Sequence, residues 1–159
     1  MKTITLSDIK KELGVLEPTD LMQLCLKLAK YKKENKEFLG YLLFEAENEQ
    51  GFIEKVKAEV DEKFLEINSN SSYFAKKGLR KILRIINKHI KFSNEKTTEI
   101  QLLLYFCEKM KDSNINFKSS TQLNNMYQAQ VIKIHKAIET LHEDLQLDYK
   151  IELKKLFKG

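Results

Sequence analysis

The chain has 159 residues, of which 42% are hydrophobic and 32% charged, with one proline and five glycines. This composition excludes an intrinsically disordered protein and favours a single domain, residues 1–159, built from long helices around a sizeable core. The apolar runs are too short to span a bilayer, and the N-terminus lacks the apolar stretch of a secretory signal. We therefore expect a cytoplasmic protein without a transmembrane segment.

The net charge of +5 is unevenly distributed along the chain. Residues 67–94 contain seven basic residues and no acid, whereas residues 45–66 contain eight acids and three lysines. Lysine supplies 26 of the 28 basic residues, a bias typical of AT-rich coding sequences, so the total charge says little about partners. The position of the positive charge, on one segment directly after an acidic one, is more informative.

Apolar residues recur with helical spacing from the N-terminus onward. We expect a short first helix capped by Ser7, and a second helix that begins at Pro18, because a first helical turn tolerates the missing N–H of proline. Polar residues 48–51 separate a third helix, 36–47, from a fourth, 52–67. The core positions predicted in the second to fourth helices include Leu24, Cys25, Leu28, Leu39, Leu42, Leu43, Val56 and Val60.

The fifth predicted helix, residues 71–92, is the segment around which we expect the other helices to pack. At 100° per residue its apolar side chains form one wide stripe, which includes Leu83 and Ile86 as expected core residues. The opposite side carries seven basic residues and no acid. Arg80 and Arg84, the two arginines of the chain, are neighbours there at i,i+4. This pattern predicts an amphipathic helix that supplies both core and basic surface.

Three further helices are predicted, at residues 95–111, 121–143 and 149–157, and the loop at 112–120 is expected to bury Ile115 and Phe117. No segment alternates strictly between apolar and polar residues, so we predict no sheet and more than about 65% helix. The predicted fold class is all-α, a compact bundle of seven or eight helices around the central basic amphipathic helix.

A family resemblance is carried by two segments, LCLKLAKYKKENKEFLGYLLFEA (Leu24 to Ala46) and AKKGLRKILRIINKHIKF (Ala75 to Phe92). They resemble an uncharacterised family of small all-helical bacterial proteins, a domain of unknown function. The resemblance spans most of the chain and implies an all-helical fold. Because that family has no assigned activity, the resemblance implies no functional residue.

The basic helix is the strongest candidate for a binding site, because its lysines and arginines can neutralise several phosphates and release counterions. The arginine fork adds a two-point grip on phosphate. We expect no aromatic residues for stacking on single strands to be interleaved on that side. Two interpretations remain open: a binding module for nucleic acid or another polyanion, or a protein-interaction or structural domain. In the second, acids of the fourth helix or of an acidic partner pair with the basic residues. The predicted polyanion-binding residues are Lys77, Arg80, Lys81, Arg84 and Lys88.

Metal binding and catalysis have weaker support. Glu139 and His142 have the i,i+3 spacing of di-iron bundles, and His135 lies nearby, but no second such motif supplies the remaining ligands. No nucleophile elbow, glycine-rich phosphate loop or zinc-protease motif occurs in the sequence. We therefore expect no enzyme, no cofactor and no metal.

The remaining histidine and the two cysteines are predicted to be packing residues. His89 lies at the flank of the apolar stripe of the basic helix, where we expect it to be hydrogen-bonded within the core. Cys25 and Cys107 lie on apolar helical stripes, and two buried free thiols are typical of a reducing compartment.

Overall fold

Eight α-helices are present in the computed structural model, which describes residues 1–158 apart from the side chain of residue 117. They are Leu6–Gly14 (α1), Pro18–Tyr31 (α2), Lys33–Gly40 (α3), Glu49–Leu65 (α4), Ser72–Ser93 (α5), Lys96–Asp112 (α6), Thr121–Glu139 (α7) and Glu143–Phe157 (α8). A π-helical turn, Tyr41–Glu45, follows α3, and a 3₁₀ turn, Phe117–Ser119, precedes α7. Because 82% of the chain is helical and the described residues form no strand, the all-α prediction is confirmed.

Contacts divide the chain into two compact units, Met1–Phe44 and Glu45–Gly159. The first contains α1 to α3, and the second contains α4 to α8. The single domain expected over residues 1–159 stays a prediction. Among the described helices, none combines the length and the apolar character needed to cross a bilayer.

The first unit begins with a capped helix. The hydroxyl of Thr5 accepts a hydrogen bond from the Asp8 amide at 3.2 Å, and the Asp8 carboxylate accepts one from the Thr5 amide at 3.0 Å. This reciprocal pair satisfies two amides that a helix start leaves open, so Thr5 is the cap and the prediction of Ser7 was wrong. The start of α2 at Pro18 is confirmed.

The third helix differs from its prediction at both ends. Lys32 is extended, with φ −141° and ψ 142°, so α2 stops there and α3 starts at the next residue. The side-chain amide of Asn35 donates to the carbonyl of Leu28 at 2.8 Å, which joins the first turn of α3 to the last turn of α2. From Tyr41 the chain widens into the π-helical turn instead of continuing as an α-helix to residue 47.

The apolar side chains of the first unit are mostly exposed. Among its residues, all of which the structure describes, Tyr41 alone is buried. The prediction of core positions on α2 and in the segment after α3 was therefore wrong for most of these residues. The exposed ones include Leu24, Cys25, Leu28, Leu42 and Leu43. Helical periodicity identified the apolar stripe correctly, but it does not identify a partner that would cover the stripe.

In the second unit α6 is the most enclosed helix, and it packs against α4, α5, α7 and α8. Three consecutive leucines of α6 are all buried, which requires neighbours on several sides of the helix. The basic helix α5 packs beside it, against α4, α6 and α7. Helix α6 therefore lies at the middle of this unit. Helix α5 lies beside it, because α5 has only one apolar side to bury. The buried residues of α6 are Thr98, Ile100, Leu102, Leu103, Leu104, Phe106, Cys107 and Met110.

Local features hold the two ends of α5. The Ser71 hydroxyl accepts a hydrogen bond from the Phe74 amide at 3.2 Å, and Asn94 ends the helix in the left-handed conformation with φ 56°. Gly78 lets α5 approach the end of α4 closely, because a Cβ at this position would lie 2.9 Å from Ile67 Cγ1. The buried residues of α5 are Ala75, Leu79, Ile82, Ile86 and Phe92.

The last two helices meet at His142. Helix α7 ends at Glu139 and not at residue 143, because the imidazole Nδ1 of His142 accepts from the Asp144 amide at 3.4 Å and caps a new helix. Helix α8 is consequently longer than predicted. Ile115 is buried as expected. The burial predicted for Phe117 concerns a side chain outside the described part of the structure.

Candidate polyanion-binding face

Helix α5 places its basic residues opposite the side that it buries against its neighbours. Lys77, Arg80, Lys81 and Arg84 are exposed, and Lys88 is half-buried. At 100° per residue the five lie within an arc of about 100°, so they share one side of the helix over three turns. We call these five residues the basic face.

The exposed members of the basic face make no ion pair with any residue that the structure describes. This holds for Lys77, Arg80, Lys81 and Arg84. Lys88 differs from them, because it interacts with other residues of the fold. The arginine pair, the feature on which the binding hypothesis depends, is therefore open to solvent.

Most of the acids in α4 and at its C-cap pair within that helix, with α6, or with residues of α5 other than the arginines. Glu54 pairs with Lys57 of the same helix at 3.2 Å, and Glu66 pairs with Lys63 at 3.0 Å. Asp61 contacts α6, where Lys109 Nζ lies 2.9 Å from its carboxylate. The acidic fourth helix therefore does not cover Arg80 and Arg84 of the basic helix, although the structural alternative required it.

Two acids of α4 bond to residues of α5 outside the basic face, and in one of these contacts the Ser93 hydroxyl donates to Glu49. His89 Nε2 lies 3.1 Å from a carboxylate oxygen of Glu59. The imidazole also makes T-shaped contacts with Phe52 and Phe92, at centroid distances of 5.4 and 5.8 Å. His89 is therefore a hydrogen-bonded packing residue, as the sequence predicts.

A groove runs beside the basic face, between the end of α4 and the start of α5. It is lined by Ile67, Gly78 and Ile82, by Lys77 and Lys81 of the basic face, and by the ion pair of Lys63 and Glu66. Phe74 lines the same groove at the N-terminal end of α5. The groove thus combines apolar side chains with two cations of the basic face, and Glu66, the one acid among its described lining residues, is paired with Lys63.

Two aromatic residues at the start of α5 are exposed, Tyr73 by 69% and Phe74 by 51%. Their rings lie edge to face, with centroids 5.3 Å apart and planes at 77°. The expectation that no aromatic residue lies on the basic side was wrong for Tyr73, and Phe74 was placed beside the apolar stripe. The signal was available, because Tyr73 stands four residues before Lys77 and so falls within the arc of the basic face.

The histidines and acids considered as metal ligands do not come together. His135 and Glu139 lie exposed on α7, and His142 lies exposed at the start of α8. Among the described residues no three His, Cys, Asp or Glu side chains form a group suited to a metal ion.

The two cysteines have opposite environments. Cys107 is fully buried in α6, and burial raises the pKa of its thiol to about 12. Cys25 is exposed on α2, so its prediction as a core residue was wrong. Both thiols are free, as predicted. A buried thiol with a raised pKa carries almost no thiolate at neutral pH and is a poor nucleophile.

A second groove, between α6 and α8, is acidic. Glu108, Asp148 and Glu152 line it together with Tyr105 and Tyr149. Burial and the neighbouring carboxylate of Glu152 raise the pKa of Glu108. The second unit therefore presents an acidic groove on α6 and α8 and a basic face on α5.

Comparison with known proteins gives no relative: no family model, no curated protein and no solved structure matches this chain. The resemblance to the helical bacterial family therefore stays a prediction.

Proposed function

We propose that this protein is a non-enzymatic binding module for nucleic acid or another polyanion, and that the basic face is the binding surface. The proposal rests on one observation: Arg80 and Arg84 are exposed and make no ion pair with any described residue. Seven basic residues without an acid on one helix create a local positive potential that attracts anions.

The dimensions of the face suit a phosphate backbone. From Lys77 to Lys88 the helix rises roughly 16 Å at 1.5 Å per residue. Phosphates along one strand of duplex DNA follow each other at about 3.4 Å along the axis, so the face spans several of them. Contacts of this kind release counterions and carry no base sequence information. We therefore expect salt-dependent affinity and little preference for sequence.

The proposal includes a cytoplasmic location and no cofactor. It is supported by the two free cysteines, which are typical of proteins in a reducing compartment. It is also supported by the exposed cations Lys77, Arg80, Lys81 and Arg84, which need no metal to attract an anion.

The test is charge reversal of the arginine pair. The variant Arg80→Glu/Arg84→Glu should bind a labelled oligonucleotide much more weakly than the wild type at low salt, and its affinity should depend less steeply on salt. Fluorescence anisotropy at several salt concentrations measures both quantities. The matched control is Lys150→Glu/Lys154→Glu, two exposed lysines of α8 at the same i,i+4 spacing. It changes the net charge equally and should retain binding. Equal losses in both variants would contradict the proposal.

A second candidate, a protein-interaction domain, is favoured by the apolar side chains of the first unit. Leu42, Leu43 and Phe44 are 51%, 65% and 80% exposed, and neighbouring exposed apolar residues are typical of association surfaces. In this case Leu42→Gln/Leu43→Gln should abolish self-association or partner association, measured by sedimentation, and should leave oligonucleotide binding unchanged. A wild type that stays monomeric and binds only oligonucleotides would contradict it.

A further inference from the structure

We infer that the ligand of the basic face is single-stranded nucleic acid, whose bases stack on Tyr73 and Phe74 while its phosphates contact the cations further along α5. This inference rests on the proposed function and specifies its ligand. The observation behind it is the juxtaposition of two exposed aromatic rings with the exposed cations Lys77, Arg80, Lys81 and Arg84 on the same helix.

The aromatic residues are continuous with the basic face. Tyr73, Lys77, Lys81 and Arg84 follow each other at spacings of four, four and three residues, which places them on one side of α5. Phe74 lies at the edge of this row and lines the groove that Lys77 and Lys81 also line. A strand lying along the helix would therefore meet rings at one end and cations over the next three turns.

The two rings differ from other exposed apolar residues of the unit because they are neighbours and lie beside exposed cations. Tyr73 is 69% and Phe74 51% exposed, but Phe157 of the same unit is 57% exposed, so exposure alone does not mark a binding site. Since burying an aromatic side chain is favourable, two neighbouring rings left in water beside cations indicate a surface that a ligand covers.

Single strands fit this surface better than duplexes or acidic peptides. The bases of a duplex are already stacked on each other and present no free ring face, whereas single strands stack their bases on protein aromatics at sequence-tolerant sites. An acidic peptide would use the cations in the same way, but it has no planar group for the two rings. The combination of rings and cations therefore favours an unpaired strand over either alternative.

The experiment compares a fluorescent oligo(dT) with an abasic oligonucleotide of the same length, using the full chain. The abasic strand keeps the phosphates and lacks the bases. We expect the wild type to bind oligo(dT) about tenfold more tightly than the abasic strand, a factor within the range of one stacked base. Tyr73→Leu/Phe74→Leu should bind oligo(dT) only as tightly as the abasic strand, and its affinity for the abasic strand should be unchanged.

A spectroscopic reporter checks the same contact without weakening it. The chain contains no tryptophan, so Tyr73→Trp introduces a single indole that should retain binding and lose fluorescence when oligo(dT) stacks on it. The control is Phe157→Trp, at a position on α8 that is 57% exposed, where oligo(dT) should cause no quenching. Quenching in both variants, or in neither, would overturn the inference.

Failure of this inference is distinguishable from failure of the proposed function. Equal binding of oligo(dT) and the abasic strand, both lost in Arg80→Glu/Arg84→Glu, would overturn stacking and leave polyanion binding in place. Duplex DNA or poly-glutamate bound as tightly as oligo(dT) would overturn the assignment to single strands. Absence of binding to every one of these probes at low salt would overturn both.

Discussion

The hydroxyl of Tyr105 on α6 donates a hydrogen bond to the carboxylate of Asp61 on α4 at 2.7 Å. Lys109 approaches the same carboxylate at 2.9 Å. This contact directs a carboxylate of the acidic helix toward α6, the helix at the middle of the second unit, and away from the basic face. It is one physical reason why the arginines of α5 make no ion pair with α4.

The pKa of Asp61 predicts a pH-dependent contribution to stability. Burial raises this pKa, but hydrogen bonds from Tyr105 and Lys109 outweigh burial and hold it below its ordinary value of 3.8. A carboxyl group whose pKa is lower in the folded state stabilises the fold above 3.8 and loses this effect as the pH falls through the folded value. The Asp61 side chain is 44% exposed, and solvent screens the pair, so Asp61→Asn should lower the free energy of unfolding by less than ~1 kcal/mol at neutral pH.

Urea unfolding of both proteins at successively lower pH measures this effect. The difference between the wild type and Asp61→Asn should shrink in acid and vanish below the folded pKa. Glu62→Gln, an exposed acid on the same helix, serves as the control and should show no such trend. A difference that grows on acidification would contradict the interpretation.

Truncation to alanine should destabilise the fold more at Ile86 than at Leu83. Ile86 is fully buried, so Ile86→Ala should cost about 2–5 kcal/mol in the free energy of unfolding. Leu83 is half-buried, and Leu83→Ala should cost clearly less, because part of its surface already lies in water. Chemical denaturation of both variants provides the measurement. An equal or larger cost at Leu83 would show that α5 packs differently.

Thiol reactivity should distinguish the two cysteines. In the native protein Cys25 should react rapidly with Ellman's reagent, because it is exposed, and Cys107 should not, because it is buried and its pKa is raised to about 12. Denaturant should expose the second thiol. Cys25→Ser should remove the rapid phase and leave the slow one. Rapid reaction of two thiols in the native protein would contradict the packing of α6.

Charge reversal at the arginine pair should leave the fold intact. Because Arg80 and Arg84 are exposed without a salt-bridge partner among the described residues, Arg80→Glu/Arg84→Glu should change the free energy of unfolding by only about 0.5 kcal/mol per site. Thermal melts monitored by circular dichroism test this, with Lys150→Glu/Lys154→Glu as the reference. A large drop in melting temperature confined to the arginine variant would indicate that the arginines pair within the fold.

Local chemistry was sufficient to predict the helices and several of their ends. The Pro18 start depends on a few adjacent residues, as does the apolar side of α5 with Ile86 in it. The basic side of α5 could be predicted for the same reason, because charge and periodicity are properties of a single helix. The spacing of Tyr73 to Lys77 also places its ring on that side, although the sequence interpretation expected no aromatic residue there.

Tertiary packing decided what each helix faces. A stripe of leucines has the same period whether or not another helix covers it, so Leu24 and Cys25 on α2 are exposed, whereas Leu102 and Cys107 on α6 are buried. The same reason applies to the charges. Opposite net charge on α4 and α5 favoured pairing between them, but the direction of each carboxylate depends on how the helices are rotated about their axes. That rotation brings Asp61 to Tyr105 and leaves Arg80 and Arg84 in solvent, because burial of the apolar sides determines it and the surface charges do not.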